Sequence, residues 1–333
     1  MLHSATTLDA GESIVDRCTR DAAPVAACDL CGGDAVADET RIAPWVLRRC
    51  GQCGLVRLDP RPSMQALDLI YDSHGYYTSE PPRLRSGLGG RLHARVQQVF
   101  WNAPGGPTGL RRLLWRIALW PLRHRFLPVP CPGPAPVLDI GCGNGQRLLE
   151  LQAQGCTTLV GVEPTASSAA QAQAHTDARI HHGLLEEADL PQGHFQLAIL
   201  NQVLEHVPSP TDMLRQIRAL LRPGGALYLT VPNYGAAEAR VFGAAWSGLQ
   251  LPTHLHHFTR QPLLRLLEAT GYRVRLCRTD TVFEVTRVSL VDARRHGGGL
   301  LTRLPLPVWR AATLLADALG RGQMLRVVAE RRD

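Results

Sequence analysis

The 333-residue sequence contains no lysine. That absence excludes Schiff-base chemistry, P-loop ATP chemistry and the lysine of a protein-kinase site. No run of about 18 uncharged apolar residues occurs, so no helix is expected to span a membrane. The first residues, MLHSATTLDAGESIVDR, lack the apolar core of a signal peptide and carry acids early. The expected location is the cytoplasm, with contact at the inner face of the membrane open. What is present is arginine: all 36 basic residues, against 29 acids, for a net charge of +7. Hydrophobic residues make up 45% and charged residues 20%, an ordinary balance for a soluble globular protein. The length allows one large domain plus a small one. A chain rich in Ala, Arg, Gly and Pro fits high-GC coding. That accounts for the missing lysine but not for where the arginines sit.

Charge divides the chain into blocks. Residues 1–80 hold 7 Arg against 12 acids, and residues 81–130 hold 9 Arg and no acid. Residues 131–280 are nearly neutral, with 11 Arg and 12 acids, and residues 281–333 hold 9 Arg and 5 acids. The +9 of the 81–130 segment exceeds the whole excess. Proline and glycine mark the same borders. Residues 102–109 read as a loop and 128–136 as a stiff linker in which no helix persists. The expected domains are 24–62, a helical basic connector over 63–130, and 131–333.

Beyond the linker, short apolar runs alternate with helical patterns. Val137–Ile140, Thr158–Val162, a run ending near Ile180, Phe195–Leu200 and Ala226–Val231 read as strands. Helices are expected between them. A further helix at about 306–319 should lie between strands Tyr272–Cys277 and Gln323–Ala329. This order predicts an α/β fold, a doubly wound, largely parallel sheet covered on both faces.

The sequence Val137-Leu-Asp-Ile-Gly-Cys-Gly-Asn-Gly145 joins the first of these strands to a helix. Glycines there permit a tight turn and close approach of backbone to a ligand. Asp139 precedes the first glycine by two residues, and Glu163 closes the next strand 22 residues after Gly141. An acid in that place can bind two ribose hydroxyls.

VLDIGCGNG, VGVEP, FQLAILNQVLEHVPSP and LLRPGGALYLTVPN, in that order, resemble the class I S-adenosylmethionine-dependent methyltransferases. The resemblance implies their seven-stranded Rossmann-like sheet and S-adenosylmethionine as cofactor. Gly141, Cys142, Gly143 and Gly145 would line its methionine part, with Asp139 orienting the loop. Glu163, followed by Pro164, would take the ribose, and Asn201 and Gln202 would face the sulfonium. Gln196 stands where many members carry Asp after Phe.

Cys28-x2-Cys31 and Cys50-x2-Cys53 are 18 residues apart, and glycine follows each pair (Gly32, Gly54). This is the pattern of a zinc ribbon, and four thiolates close a tetrahedral site, which makes the Zn2+ structural. Iron–sulfur ligation fits this spacing less well. The other five cysteines are expected to be free thiols in a reducing compartment. CGLVRLDPRPSMQALDLIYDSHGYY also resembles bacterial methyltransferases that carry an N-terminal ribbon and modify sugars, glycans or metabolites. That likeness would bring His74, Tyr76 and Tyr77 near cofactor or acceptor; packing of a short helix end is the equal alternative.

On the acceptor side, Glu205-His206 follows the fourth strand of the parallel series. A similar acid-xx-Glu-His pattern is implicated in divalent metal binding in ubiquinone-biosynthesis O-methyltransferases, but Gln202 replaces the first acid here. A helix-start hydrogen bond is the plainer role for His206. Leu251-Pro-Thr-His-Leu-His-His-Phe258 resembles a segment of the ribbon-bearing enzymes. His254, His256 or His257 is a candidate general base, because histidine titrates near neutral pH; the alternative is that His254 or His257 ties down the loop. The candidate catalytic residues are thus His206, His254 and His257. The expected reaction is O-methylation of a polar small molecule or glycan, anionic or lipid-linked. The alternatives are RNA base methylation, disfavoured by the neutral 131–280 core, and a non-catalytic scaffold, disfavoured by the intact glycine loop.

In the basic segment, Leu110, Leu113, Leu114 and Ile117 fall at helical spacing among Arg111, Arg112, Arg116, Trp115 and Trp120, with a break at Pro121. Packing on the domain is the leading expectation for 110–127; an anionic bilayer surface or phosphate groups are the competitors.

Overall fold

The computed structural model describes residues 14–72, 81–84, 87–101, 107–119 and 133–333. His74, Tyr76, Tyr77, Trp120, Pro121 and most of the 128–136 linker lie outside them. In chain order the helices and strands are α1 Ile14–Arg20, β1 Val36–Ile42, β2 Trp45–Cys50, β3 Val56–Leu58, α2 Met64–Asp72, α3 Gly87–Trp101 and α4 Gly109–Leu119. There follow β4 Val137–Ile140, α5 Gln146–Ala153, β5 Leu159–Glu163, α6 Ala166–His175, β6 Arg179–His182, β7 Phe195–Asn201, α7 Pro210–Leu220 and β8 Leu221–Pro232. The last are α8 Ala237–Phe242, β9 His256–His257, α9 Arg260–Ala269, β10 Tyr272–Asp280, α10 Phe283–Arg295, α11 Leu306–Ala318 and β11 Met324–Arg331. No helix among the described residues is long and apolar enough to cross a membrane.

A seven-stranded sheet has the order β10-β11-β8-β7-β4-β5-β6. β4, β5 and β6 run parallel, as successive strands joined by helical crossovers do. β10 and β11 close the opposite edge antiparallel. This is the doubly wound α/β sheet that the strand order predicts, with the seven strands that the resemblance implies.

The chain forms two compact units. One comprises residues 1–76, 200–219 and 229–333, the other 77–199 and 220–228. In the first, the ribbon strands build a second sheet, β1-β2-β3-β9, whose last strand comes from the His-rich loop: Val56 pairs with His257 and Arg57 with His256. Trp45, Leu47, Val56 and Leu58 are buried in one core with Trp246, Leu255, Leu290 and Trp309. The ribbon therefore draws its apolar support from residues some 200 positions away in sequence, which local composition does not disclose.

In the second unit, α3 and α4 pack through Val96, Val99 and Leu119. Arg112 Nε donates to the Val99 carbonyl at 2.9 Å, and the Arg95 guanidinium lies 5.5 Å over the Trp115 ring. Leu110, Leu113, Leu114 and Ile117, expected to pack on the domain, are instead exposed. Cys156 also departs from expectation, being disulfide-bonded.

Candidate functional site

Three clusters carry the chemistry. The first is the loop after β4, in the second unit. Gly141, Gly143 and Gly145 have φ of 68°, 56° and 84°, left-handed backbone that glycine adopts without strain. A Cβ on Gly145 would come within 2.9 Å of the Ala172 backbone, so α5 and α6 approach as closely as they do only because that position is bare. The Glu163 side chain reaches back across the loop. Its Oε2 accepts from the Gly143 N–H at 2.8 Å and its Oε1 from the Thr165 N–H at 3.0 Å. Each carboxylate oxygen keeps a lone pair for a further donor such as a ribose hydroxyl. Cys142 is buried and packs on the bare face of Gly161; Pro164 is exposed. Asp139 is also buried. Burial pushes its carboxyl up to about 7, Arg147 pulling it down and Glu163 pushing the same way as burial.

Asn201 and Gln202 belong to the first unit. Gln202 holds φ 61°, a costly conformation for a residue with a side chain. It is fixed there by its N–H on the Thr230 carbonyl at 3.0 Å. Thr230 Oγ1 donates to Asn201 Oδ1 at 2.7 Å and receives the Gln202 amide at 3.3 Å. The two side chains at the end of β7 are thus held through one hydroxyl.

The second cluster is the cysteine set. Cys28 and Cys53 sulfurs are 3.4 Å apart, those of Cys31 and Cys50 3.6 Å, and all four lie within 4.8 Å. A tetrahedron with Zn–S of 2.3 Å has edges of about 3.8 Å, so the donors fit one ion. Gly32 and Gly54 donate to the Cys28 and Cys50 carbonyls at 2.8 and 3.0 Å, each with positive φ, which closes the two turns. Burial raises the Cys28 thiol. At Cys50 burial works the same way, but the backbone N–H groups of Cys53 and Gln52 outweigh it and bring the thiol down to about 6. Beside the cluster, Asp29 accepts from Arg61 at 3.0 Å and meets His256 Nε2 at 2.9 Å. His256 is thereby tied into ribbon structure.

The third cluster joins the start of the segment after β7 to the His-rich loop. Glu205 is fully buried, and neither carboxylate oxygen has a hydrogen-bond partner. Burial pushes its carboxyl up to about 8. The ligand atoms of Glu205, His206 and His254 lie within 4.8 Å of one another. His206 Nδ1 lies 3.0 Å from the Thr253 carbonyl and 3.1 Å from the Tyr71 hydroxyl; His254 Nδ1 lies 3.0 Å from the Gly248 carbonyl. A carbonyl only accepts, so in both rings Nδ1 carries the hydrogen and Nε2 the lone pair. Burial lowers His206 to about 4 and His254 well below its ordinary value, so both are neutral. His257 is buried in β9 with Nε2 unpartnered, and burial lowers it to about 3. Sequence reasoning named the two histidines, and Glu205 only as part of the Glu-His pattern, but not Tyr71. The bare Glu-His dipeptide was visible, but the 47-residue contact from His206 to the Thr253 carbonyl was not.

The family described as a methyltransferase domain matches residues 112–276. The ubiquinone biosynthesis O-methyltransferase of Xanthomonas axonopodis pv. citri is 30% identical over 175 residues, 50% of this chain and 70% of that protein. Its counterpart from Xanthomonas campestris pv. campestris (strain B100) is 32% identical over 177 residues with the same coverage. Among solved structures, an S-adenosylmethionine-dependent methyltransferase from Mesorhizobium loti superposes with a TM-score of 0.44 at 22% identity, covering 64% of this chain and 98% of that one.

Proposed function

Because the chain belongs to the S-adenosylmethionine-dependent methyltransferases, we propose that it transfers the methyl group to a hydroxyl of a polar metabolite or glycan. The observation that carries the O-methyl reading is the buried Glu205–His206–His254 cluster. A hydroxyl must lose its proton as it attacks the sulfonium methyl, and positioned acid–base groups accelerate such steps by about 10²–10⁴. The relatives named for O-methylation support the same reading.

Gly141, Cys142, Gly143, Gly145, Glu163 and Pro164, with Asp139 behind the loop, would hold S-adenosylmethionine, and Asn201 and Gln202 are the residues assigned to its sulfonium. The Glu163 carboxylate, which accepts from the Gly143 and Thr165 N–H groups, would also accept from the ribose hydroxyls. The four cysteines would hold a structural Zn2+. Four thiolates would fill its coordination, so such an ion would take no part in the reaction.

A second reading of the acid–histidine cluster follows from its tautomers. A neutral imidazole whose pKa lies near 4 is a poor proton acceptor at pH 7 and a good metal ligand. Ligating histidines commonly give their other N–H to a backbone carbonyl, as both do here. Glu205, His206 and His254 would then hold a divalent cation, with His254 supplying the ligand that Gln202 does not. Such an ion acidifies a bound hydroxyl. His257 remains the candidate for contact with the acceptor. The exposed apolar and arginine-rich α4 suits an acceptor that is anionic or lipid-linked, and a bilayer contact through 110–127.

Calorimetry with S-adenosylmethionine tests the cofactor site: Glu163→Ala should weaken binding at least tenfold, and Gly143→Arg should abolish it. Unchanged affinity in both would refute the assignment. Methyl transfer to catechols and to phenol-free sugar acceptors, with and without added Mg2+, Mn2+ or Zn2+ after chelation, separates the two readings of the acid–histidine cluster.

A further inference from the structure

Twenty large apolar side chains are exposed among the described residues, and eight of them fall between residues 300 and 319. Leu300 is 80% exposed, Leu315 62% and Leu319 69%. α11 is amphipathic the wrong way round for a surface helix. The face it turns inward carries Trp309, Thr313 and Asp317. Thr279 Oγ1 donates to the Asp317 carboxylate at 2.8 Å, and Thr281 to the Thr313 carbonyl at 3.3 Å. Val308, Ala311, Leu315 and Leu319 recur at helical spacing on the opposite side, all exposed. In the turn before α11, Leu301 and Leu304 are exposed as well. That turn is rigid: Arg294 donates to the Thr302 and Leu304 carbonyls at 2.7 and 3.0 Å.

The charges around this ridge have one sign. Between Ala293 and Ala329 the only acid is Asp317, and it is buried. Arg295, Arg303, Arg310 and Arg321 are exposed. An exposed apolar ridge of this size marks an interaction surface rather than ordinary surface scatter. A leucine ridge flanked by arginine, with no exposed carboxylate between residues 293 and 329, matches a bilayer with anionic headgroups: acyl chains take the leucines and phosphates the guanidinium groups. A second copy of the chain fits worse, because a two-fold contact would oppose the same arginines on both sides.

We propose that the 300–319 ridge is a docking face for an anionic membrane surface, with α11 lying in the interface and Leu301, Leu315 and Leu319 inserted. The proposal does not depend on which hydroxyl is methylated. It is independent of α4, whose exposed face belongs to the other unit.

The test is flotation of the full-length protein with vesicles of phosphatidylcholine alone and of phosphatidylcholine with phosphatidylglycerol. Binding is expected to the anionic vesicles only, and to fall with salt. Leu315→Glu and Leu319→Glu should each weaken it about tenfold, the loss expected when a leucine no longer enters the apolar phase. Arg303→Glu with Arg310→Glu should weaken it and reduce the salt dependence. Ile117→Glu on α4 should weaken it by less than Leu315→Glu does. All are exposed sites, and retained S-adenosylmethionine affinity and melting temperature show that the variants fold. The inference is overturned if the protein does not float, if Ile117→Glu and not Leu315→Glu removes binding, or if light scattering shows a dimer that Leu315→Glu converts to monomer.

Discussion

The cysteine set and the acid–histidine cluster lie in the same unit and use the same kind of donors, yet they are built to opposite ends. The four sulfurs come as two local pairs, each closed by its own glycine turn, and together they fill a tetrahedron. Glu205, His206 and His254 offer three donors, and the carboxylate is left without any hydrogen-bond partner in a fully buried place. Leaving such a group unpaired costs on the order of 1–3 kcal/mol or more, a cost that a fold tolerates where something binds. A saturated site holds structure; an unsaturated one is kept for a ligand.

The largest effect that could break this contrast is loss of the cysteine ion. Cys28→Ser or chelation should take the zinc content from one per chain to none, measured by mass spectrometry, and lower the melting temperature by an amount worth several kcal/mol. The drop should stop short of complete unfolding, because Trp45, Leu47, Val56 and Leu58 remain seated against Trp246 and Trp309. A variant that lost activity at unchanged stability would make the cysteine site the reactive one.

Glu205→Gln should do the reverse. The expected result is a fall in kcat of about 10²-fold with S-adenosylmethionine affinity and melting temperature unchanged, because burial pushes the Glu205 carboxyl up to about 8 and it already carries its proton at pH 7. A falling melting temperature at unchanged kcat would make Glu205 a structural residue and remove the contrast.

How far each cluster could be read in advance follows from how it is assembled. The cysteine pattern is local, so spacing alone predicts its ligands, and the glycine loop is readable for the same reason. The central strands β4 and β7 are largely apolar and buried on both faces, as strands of a doubly covered sheet are. The acid–histidine cluster depends on Thr253 and Gly248 carbonyls meeting imidazole rings, and on Gln250 at φ 39° turning the loop; no periodicity encodes those contacts. The core shared between the ribbon and Trp309 is hidden likewise. Helical spacing located the apolar face of α4 correctly but gave the wrong surroundings, since periodicity says which side chains align and not what covers them.

Asp139 sharpens the comparison as a second buried carboxyl, one that faces charged neighbours, Arg147 and Glu163. Its pKa rises from an ordinary 3.8 to about 7 on folding. Between those values the native state keeps a proton that the unfolded chain has lost, so stability falls as pH rises from about 4 to about 7 and is level above. With an effective interior dielectric well above that of dry protein, the slope integrates to on the order of 1–2 kcal/mol. Urea midpoints of the wild type should therefore drop relative to Asp139→Asn across that window. Parallel curves would show that Arg147 already holds the carboxylate charged.

The smallest predicted effect concerns how His206 is aimed. Its Nδ1 has two neighbours, the Thr253 carbonyl and the Tyr71 hydroxyl. The carbonyl alone suffices to fix the hydrogen on Nδ1, since it cannot donate. The tyrosine can only accept a share of that hydrogen, and a hydrogen bond of this kind is worth about 1 kcal/mol. Tyr71→Phe should thus lower kcat by no more than about fivefold and leave metal content and S-adenosylmethionine affinity as they were. A loss as large as that of Glu205→Gln would mean that Tyr71 donates to Nδ1. His206 would then carry its hydrogen on Nε2, facing Glu205, and the cluster would be a hydrogen-bonded pair closed to any ion, no more open than the cysteine site it contrasts with.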